Sequence, residues 1–361
     1  MNIEISHIPK SSYPDYRTNV MFDGYKWDLQ AGEQSTISDK VILLEPDEAA
    51  FLADTAVKLY HETIAMEAVL KHCPQLALAM GISEKMTEAL CNCEYDQAAH
   101  VRFMRFDFHP TTQGWRVSEV NSDVPAGYPE ASVLPALAQV YFDGYCQYGC
   151  FGQVLTNRLS RLVPGGATIA YLHDTHTVED YQILRYIGDL METRGYKSMY
   201  AAPEHIPWAD NKAKGIGGVL RYFPIEWMEF NKNTDWLGFV NSQTPSCNHP
   251  VALLTQSKRL PLVWDRLGVE ISTWKAMLPE TICPSQVLEK HSSATNANAQ
   301  WALPEEGWIL KPAFGRVGEG ITIPGSCPAK RKRLFTKPPP VSLPSGLHRK
   351  CLTASRWRVF I

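Results

Sequence analysis

Two clusters of polar residues have the types and spacing to handle phosphate. The first lies in RFMRFDFHPTTQGWRVSEVNSDVPAG and carries Arg105, Asp107, Glu119 and Asn121. The second lies far downstream in WILKPAFGRVGEGI and carries Lys311, Arg316 and the glycines Gly315, Gly318 and Gly320. Side chains two apart on a strand share a face. Arg105 and Asp107 therefore share one face, and Glu119 and Asn121 share one face of the next strand. If those strands pair, the four groups converge. Mg²⁺ takes hard oxygen ligands and keeps part of its water shell, so Asp107, Glu119 and Asn121 suit it when it bridges to phosphates. Arg105 has the planar fork that grips a phosphate or carboxylate. A solvent-facing hairpin with cross-strand ion pairs accounts for this cluster equally well on its own.

The GRVGEG loop allows positive φ and close backbone approach to phosphate. Taken singly it also fits an ordinary hairpin turn. Lys311 precedes it on a strand and brings a cation to the same place, and Arg316 sits within the loop, where it could swing over a transferring phosphoryl group. Lys258, read as the start of a helix in QSKRLPLVW, is a second phosphate lysine. A helix-initial lysine is more often solvated surface. The set is more specific than any member of it.

These residues need a scaffold that alternates helix and strand. DEAAFLADTAVKLYHETIAMEAVLKHC has helical apolar spacing, and the stretch 47–90 reads as helical, with a second helix around ISEKMTEALCNCEYDQAAH. RFMRFDFH and WRVSEVNSD alternate as strands joined by the HPTTQG turn. PEASVLPALAQVYFDGYC reads as a helix with Pro129 near its start. Residues 166–245 read as a compact α/β unit. GATIAYLHD is a buried strand, VEDYQILRYIGDLMETRGY an amphipathic helix, and KSMYAAPEHI and GIGGVLRYF further strands, an order that implies parallel pairing. WILKP and ITIP flank the glycine loop as an antiparallel hairpin.

The chain has 361 residues with 45% hydrophobic and 20% charged content, the profile of a globular protein with more than one subdomain. A formal charge of -3 gives no electrostatic reason to expect nucleic acid or membrane as partner. The N-terminus lacks the apolar region of a secretory signal, and no apolar run is long enough to span a bilayer. Nine cysteines without a regular framework suit reduced thiols, which points to the cytoplasm. The close pairs Cys91–Cys93 and Cys146–Cys150 are read as buried thiols rather than a zinc site.

The spacing from R-x-D to E-x-N, with a distant lysine and then K-P-x-x-G-R-x-G-x-G, resembles the synthetase domain of glutathionylspermidine synthase and its stand-alone relatives. The resemblance covers residues 12–325 and includes NSDVPAG and RYFPIEWM. It implies an α/β (α+β) chain with an ATP-grasp core and a Rossmann-like pre-ATP-grasp subdomain. It also implies ATP and Mg²⁺ as cofactors, small-molecule substrates, and amide formation between a carboxylate and an amine through an acyl phosphate. Asp107, Glu119 and Asn121 then correspond to Mg²⁺ ligands and Arg105 to the arginine on the acyl phosphate. Lys258, Lys311, Gly315, Val317, Gly318 and Gly320 correspond to the ATP-binding set, and Arg316 to the mobile-loop arginine. Glu130 or Glu226 would help hold the amine.

After Pro324 the pattern departs from that family. Residues 326–361 carry nine Lys and Arg, no Asp or Glu, and a proline-rich KPPPVSLPSG stretch. The tail reads as basic, without periodic apolar structure, and resembles translation in the wrong frame. The expectation is a nucleotide cleft incomplete at its C-terminal part. The alternative to an active ligase is an inactive remnant that at most binds nucleotide.

Overall fold

TIAYL at Thr168–Leu172 is apolar at nearly every position, and such a run is stable when both faces are covered. In the computed structural model, which describes residues 3–28, 30–31, 34–284, 308–315, 320–321 and 352–356, this strand lies inside a four-stranded parallel sheet. The order across the sheet is Ser246–Cys247, Gly218–Arg221, Thr168–Leu172, Lys197–Ala201. Helix Val178–Glu192 buries Ile183, Leu184, Ile187 and Met191 in the same core as Ile169, Tyr171 and Leu220. Helix Phe151–Leu162 adds Leu155 and Leu159. Gly195, at φ +85°, lets the chain reverse after Val178–Glu192 and enter the next strand. This is the α/β architecture expected from the sequence.

The chain divides into two units. The first comprises Met1–Ala53, Glu94–Phe103 and Val124–Pro250 and contains the parallel sheet. It also pairs Ile3–His7 with Lys40–Leu44 antiparallel. The second comprises Asp54–Cys93, Met104–Asp123 and Val251–Ile361. Its helices bury Leu59, Met66 and Leu70, then Leu76 and Met80, then Met86 and Leu90.

The second unit also holds the hairpin of Arg105–Thr111 and Gly114–Asn121. Trp115, Val117 and Val120 are its buried positions. The step from Val117 to Val120 is three residues, where strict alternation requires two. The register explains it. Phe106 pairs with Val120 and Phe108 with Val117, so Ser118 and Glu119 together oppose Asp107 in a β-bulge. The bulge absorbs the extra residue, so one apolar face and one polar face run along the hairpin.

Several elements are shorter than the periodicity suggests. The helical stretch read over 47–90 breaks into Pro46–Leu70, Pro74–Ala79 and Glu84–Asn92, with Pro74 opening the second piece and Gly81 at φ +88° closing it. The helix expected near Pro129 runs only from Val133 to Gln139. The helix expected around Lys258 is absent. Pro250–Thr255, Leu260–Leu262 and Trp264–Arg266 are short 3-10 turns, and Lys258 lies between the first two. The strand Trp308–Pro312 forms as expected, and its partner among the described residues is Leu352–Arg356, which also pairs with Thr281–Ile282. In ITIP only Ile321 is described, so that half of the expected hairpin lies outside the described residues.

Candidate functional site

The polar face of the hairpin brings its four sequence-marked residues together. Arg105 pairs directly with Asn121 across the strands. Arg105 donates from Nε to Oδ1 of Asp107 at 2.7 Å and from Nη2 to Oδ2 at 3.1 Å. Asn121 Nδ2 donates to the same Oδ2 at 3.3 Å. Glu119 faces two ammonium groups, with Oε2 at 3.5 Å from Lys258 Nζ and 3.9 Å from Lys311 Nζ.

Long-range contacts deliver Lys258 to this face. The residues that follow the hairpin are pinned, because Gln256 Oε1 accepts from the backbone N–H groups of Ser122 and Asp123 at 2.7 and 2.8 Å. The hydroxyls of Ser122 and Thr255 meet at 2.6 Å, and Thr255 donates to buried Glu67 at 3.3 Å. Ser257 and Arg259 donate to the carbonyls of Met80 and Ala79. Lys258 is thus held from both sides in sequence. Its own N–H bonds to Ala313 O at 2.9 Å, and its Nζ to Gly315 O at 3.1 Å. The start of the glycine loop is therefore fastened to Lys258.

Lys311 is buried on the strand before that loop, and its Nζ donates to Ser118 O at 3.4 Å. Burial pushes its ammonium below the ordinary lysine range, and Lys258 adds to the shift, while Glu119 and Asp107 oppose it. His109 shares the polar face and hydrogen-bonds Ser118 Oγ at 2.9 Å. Its imidazole is shifted down chiefly by burial, with Lys311 acting the same way and Asp107 and Glu119 opposing it.

The donor set fits a hard divalent cation in chemistry. It offers two carboxylates and an amide oxygen on one rigid hairpin, with cations beside them for phosphate. No group of three or more His, Cys, Asp or Glu gathers for a metal among the described residues. Gly320, at φ +66°, adopts the left-handed backbone expected of the loop. Arg316, Val317 and Gly318 lie outside the described residues.

Glu130 and Glu226 belong to the first unit. In its sheet the chain leaves Thr168–Leu172 towards Lys197–Ala201 and then returns to Gly218–Arg221 on the other side. The carboxyl ends of Thr168–Leu172 and Gly218–Arg221 therefore flank a topological switch point, the usual crevice for ligands in such sheets. Glu226 opens the helix Ile225–Met228 just beyond one of those ends. Beyond the other end lie acids that the sequence reading passed over. Asp174 accepts from the N–H of His176 at 2.9 Å. Desolvation lifts Asp180 to about 7, with Asp174 and Glu179 adding to the shift and the Thr177 hydrogen bond opposing it. Glu179 is raised as well, by burial first, with Asp28 and Glu130 contributing. In sequence Glu179 and Asp180 look like ordinary first-turn helix acids, and the burial that shifts them shows only in the fold.

No helix among the described residues is long and apolar enough to cross a membrane. A glutathione synthetase-like effector from Globodera pallida, solved in its apo form, shares the fold at a TM-score of 0.51 and 11% identity, over 97% of this chain and 82% of that one. No curated protein matches the chain. The family model of the glutathionylspermidine synthase pre-ATP-grasp domain matches residues 7–332. With nearly its whole length matched, the chain belongs to the glutathionylspermidine synthase pre-ATP-grasp family.

Proposed function

We propose that the protein is an ATP-dependent ligase that joins a carboxylate to an amine through an acyl phosphate. The observation that carries this reading is the hairpin face itself. Three cations, Arg105, Lys258 and Lys311, adjoin two carboxylates and an amide within one unit. Phosphoryl transfer needs little covalent help from a protein, only positioning and charge neutralisation. Lys258 and Lys311 would hold the phosphates of ATP, and Gly315 would present its loop beside them. Arg105 would orient the substrate carboxylate as its oxygen attacks the γ-phosphorus and ADP leaves. The amine nitrogen then attacks the acyl carbon, and inorganic phosphate departs. Mg²⁺, held by Asp107, Glu119 and Asn121, would neutralise phosphate charge.

The amine calls for acids. Glu130 or Glu226 is read as helping to hold it. The carboxylate substrate is read as an amino acid or peptide.

The test is ADP release from Mg–ATP over a panel of peptide or amino-acid carboxylates with mono- and polyamines. The expected result is turnover that requires both partners and falls at least a hundredfold in Asp107→Asn. Full turnover in that variant would defeat the site assignment.

A further inference from the structure

Two half-buried cysteines on separate helical segments of the second unit meet at one carbonyl. The N–H of Cys73 donates to Leu70 O at 3.0 Å, and Sγ of Cys91 lies 4.0 Å from the same oxygen. A second contact holds the two stretches together. Lys71 Nζ donates to the carbonyls of Cys91 at 3.2 Å and Cys93 at 2.6 Å. The end of helix Pro46–Leu70 is thereby clasped to the end of helix Glu84–Asn92. Burial pushes the Cys91 thiol up, the Lys71 ammonium opposes that shift, and Cys73 adds to it, so the two thiols act on one another. Cys93 is buried, and its Sγ is 3.3 Å from Leu90 O one turn back.

The stretch between the two cysteines carries the contacts that fix the neighbours of Lys258. Met80 O accepts from Ser257 Oγ at 2.7 Å, and Ala79 O accepts from Arg259 Nη1 at 3.1 Å. A bond between Cys73 and Cys91 would close a loop around that turn and remove freedom from it. Disulfides bridge Cα atoms about 4.4–6.8 Å apart, and a backbone N–H and a sulfur that share one oxygen sit near that range. Both thiols are reduced and only half-buried, so a small reagent has access to them. Pairs of this kind in a reducing compartment are usually transient and redox-sensing.

We propose that Cys73 and Cys91 form a reversible thiol–disulfide site, oxidised by a small-molecule disulfide, whose closure stiffens the segment carrying Lys258. In the first step one cysteine thiolate attacks a sulfur of the small disulfide. The departing small thiolate takes up the proton that the cysteine gave up. In the second step the other cysteine thiolate attacks the protein sulfur of the mixed disulfide, and a second small thiol leaves with its proton. Two protein thiols are oxidised to one disulfide, and one small disulfide is reduced to two thiols. An added dithiol runs the exchange backwards. The site uses none of the hairpin residues, so it stands independently of the ligase reading.

To test this, the full chain is equilibrated with hydroxyethyl disulfide and mercaptoethanol, its remaining thiols are alkylated, and its tryptic peptides are weighed. Lys71, Lys85 and Arg102 put Cys73 and Cys91 in separate tryptic peptides, whereas Cys91 and Cys93 share one. The expected product is the two peptides joined, lighter by two hydrogens, and parted again by dithiothreitol. Cys73→Ser and Cys91→Ser should each abolish it, and Cys93→Ser should keep it. Circular dichroism checks that each variant is folded, which the small change from sulfur to oxygen favours. Hydrogen–deuterium exchange then compares oxidised with reduced protein. Amides of residues 257–260 should slow about threefold or more on oxidation of the parent, and not in Cys73→Ser given the same treatment. No link, a link confined to the peptide of Cys91 and Cys93, or mixed disulfides alone would overturn the pairing. A link between Cys73 and Cys91 that leaves the exchange unchanged would overturn the coupling to Lys258.

Discussion

Arg105 grips both carboxylate oxygens of Asp107, at 2.7 and 3.1 Å, so the residue suited to phosphate and the residue suited to metal satisfy one another. Glu119 is likewise engaged by Lys258 and Lys311. Bidentate pairs of this kind are the stronger ion pairs. In the proposed ligase each carboxylate would have to be released before it could hold a metal ion. Phosphates that draw the cations away would uncover the carboxylates, and so nucleotide and metal should bind synergistically. In thermal-shift titrations, the rise in Tm with Mg–ATP should exceed the sum of the rises with ATP alone and Mg²⁺ alone. Simple additivity would sink the idea. Arg105→Ala should raise the response to Mg²⁺ alone.

Lys311 is buried, and the Glu119 carboxylate beside it favours its charged form. Glu119→Gln leaves that ammonium with a weaker partner in a desolvated place. The expected cost is about 1–3 kcal/mol in urea unfolding. Adding Lys311→Met should recover much of it, since the buried charge is then gone. A double variant no more stable than Glu119→Gln would argue against the coupling.

Glu62 reaches the first turn of helix Ser272–Met277, where its carboxylate accepts from the N–H of Thr273 at 2.8 Å and of Trp274 at 2.9 Å. It acts as a cap supplied from a remote helix. Glu62→Ala should cost about 1 kcal/mol, in line with loss of an N-cap, and Glu62→Gln less. Urea unfolding gives the magnitude. The near-UV signal of Trp274 shows whether its ring is still held.

Asp180 has its proton held to about 7 in the folded chain, far above an ordinary carboxyl. Between the ordinary aspartate range and about 7, the native state keeps a proton that the unfolded state has released. The difference in bound protons therefore makes stability fall as pH rises through that window and level off above it. Asp180→Asn should flatten that part of the profile. A parent and variant with parallel stability curves between pH 5 and 8 would exclude the group as its source. A polyamine bound near these acids should favour their ionised forms and shift the window downward.

The sequence displays the hairpin plainly, because residues two apart on a strand must share a face and Arg105, Asp107, Glu119 and Asn121 obey that spacing. The parallel sheet is equally readable from the unbroken apolar run at Thr168–Leu172. What it hides are effects of contacts distant in sequence. Lys258 reads as a helix start, yet it falls between two short 3-10 turns, and the bonds of Gln256 to Ser122 and Asp123 decide where the lysine goes. Asp180 looks like an ordinary first-turn acid until its burial is seen.

The bulge in the hairpin is a matter of counting. Without Ser118, the run Trp115, Arg116, Val117, Glu119, Val120, Asn121 would alternate perfectly, and every side chain would keep its present face. The surplus residue therefore does nothing for the hydrophobic pattern. What it adds is a main-chain carbonyl, and that carbonyl receives the ammonium of Lys311. Lys311 is thus steadied by the length of a strand rather than by the identity of a neighbour. Position 118 should accept many amino acids in place of serine, yet removing it should cost the site its registration while the hairpin still folds.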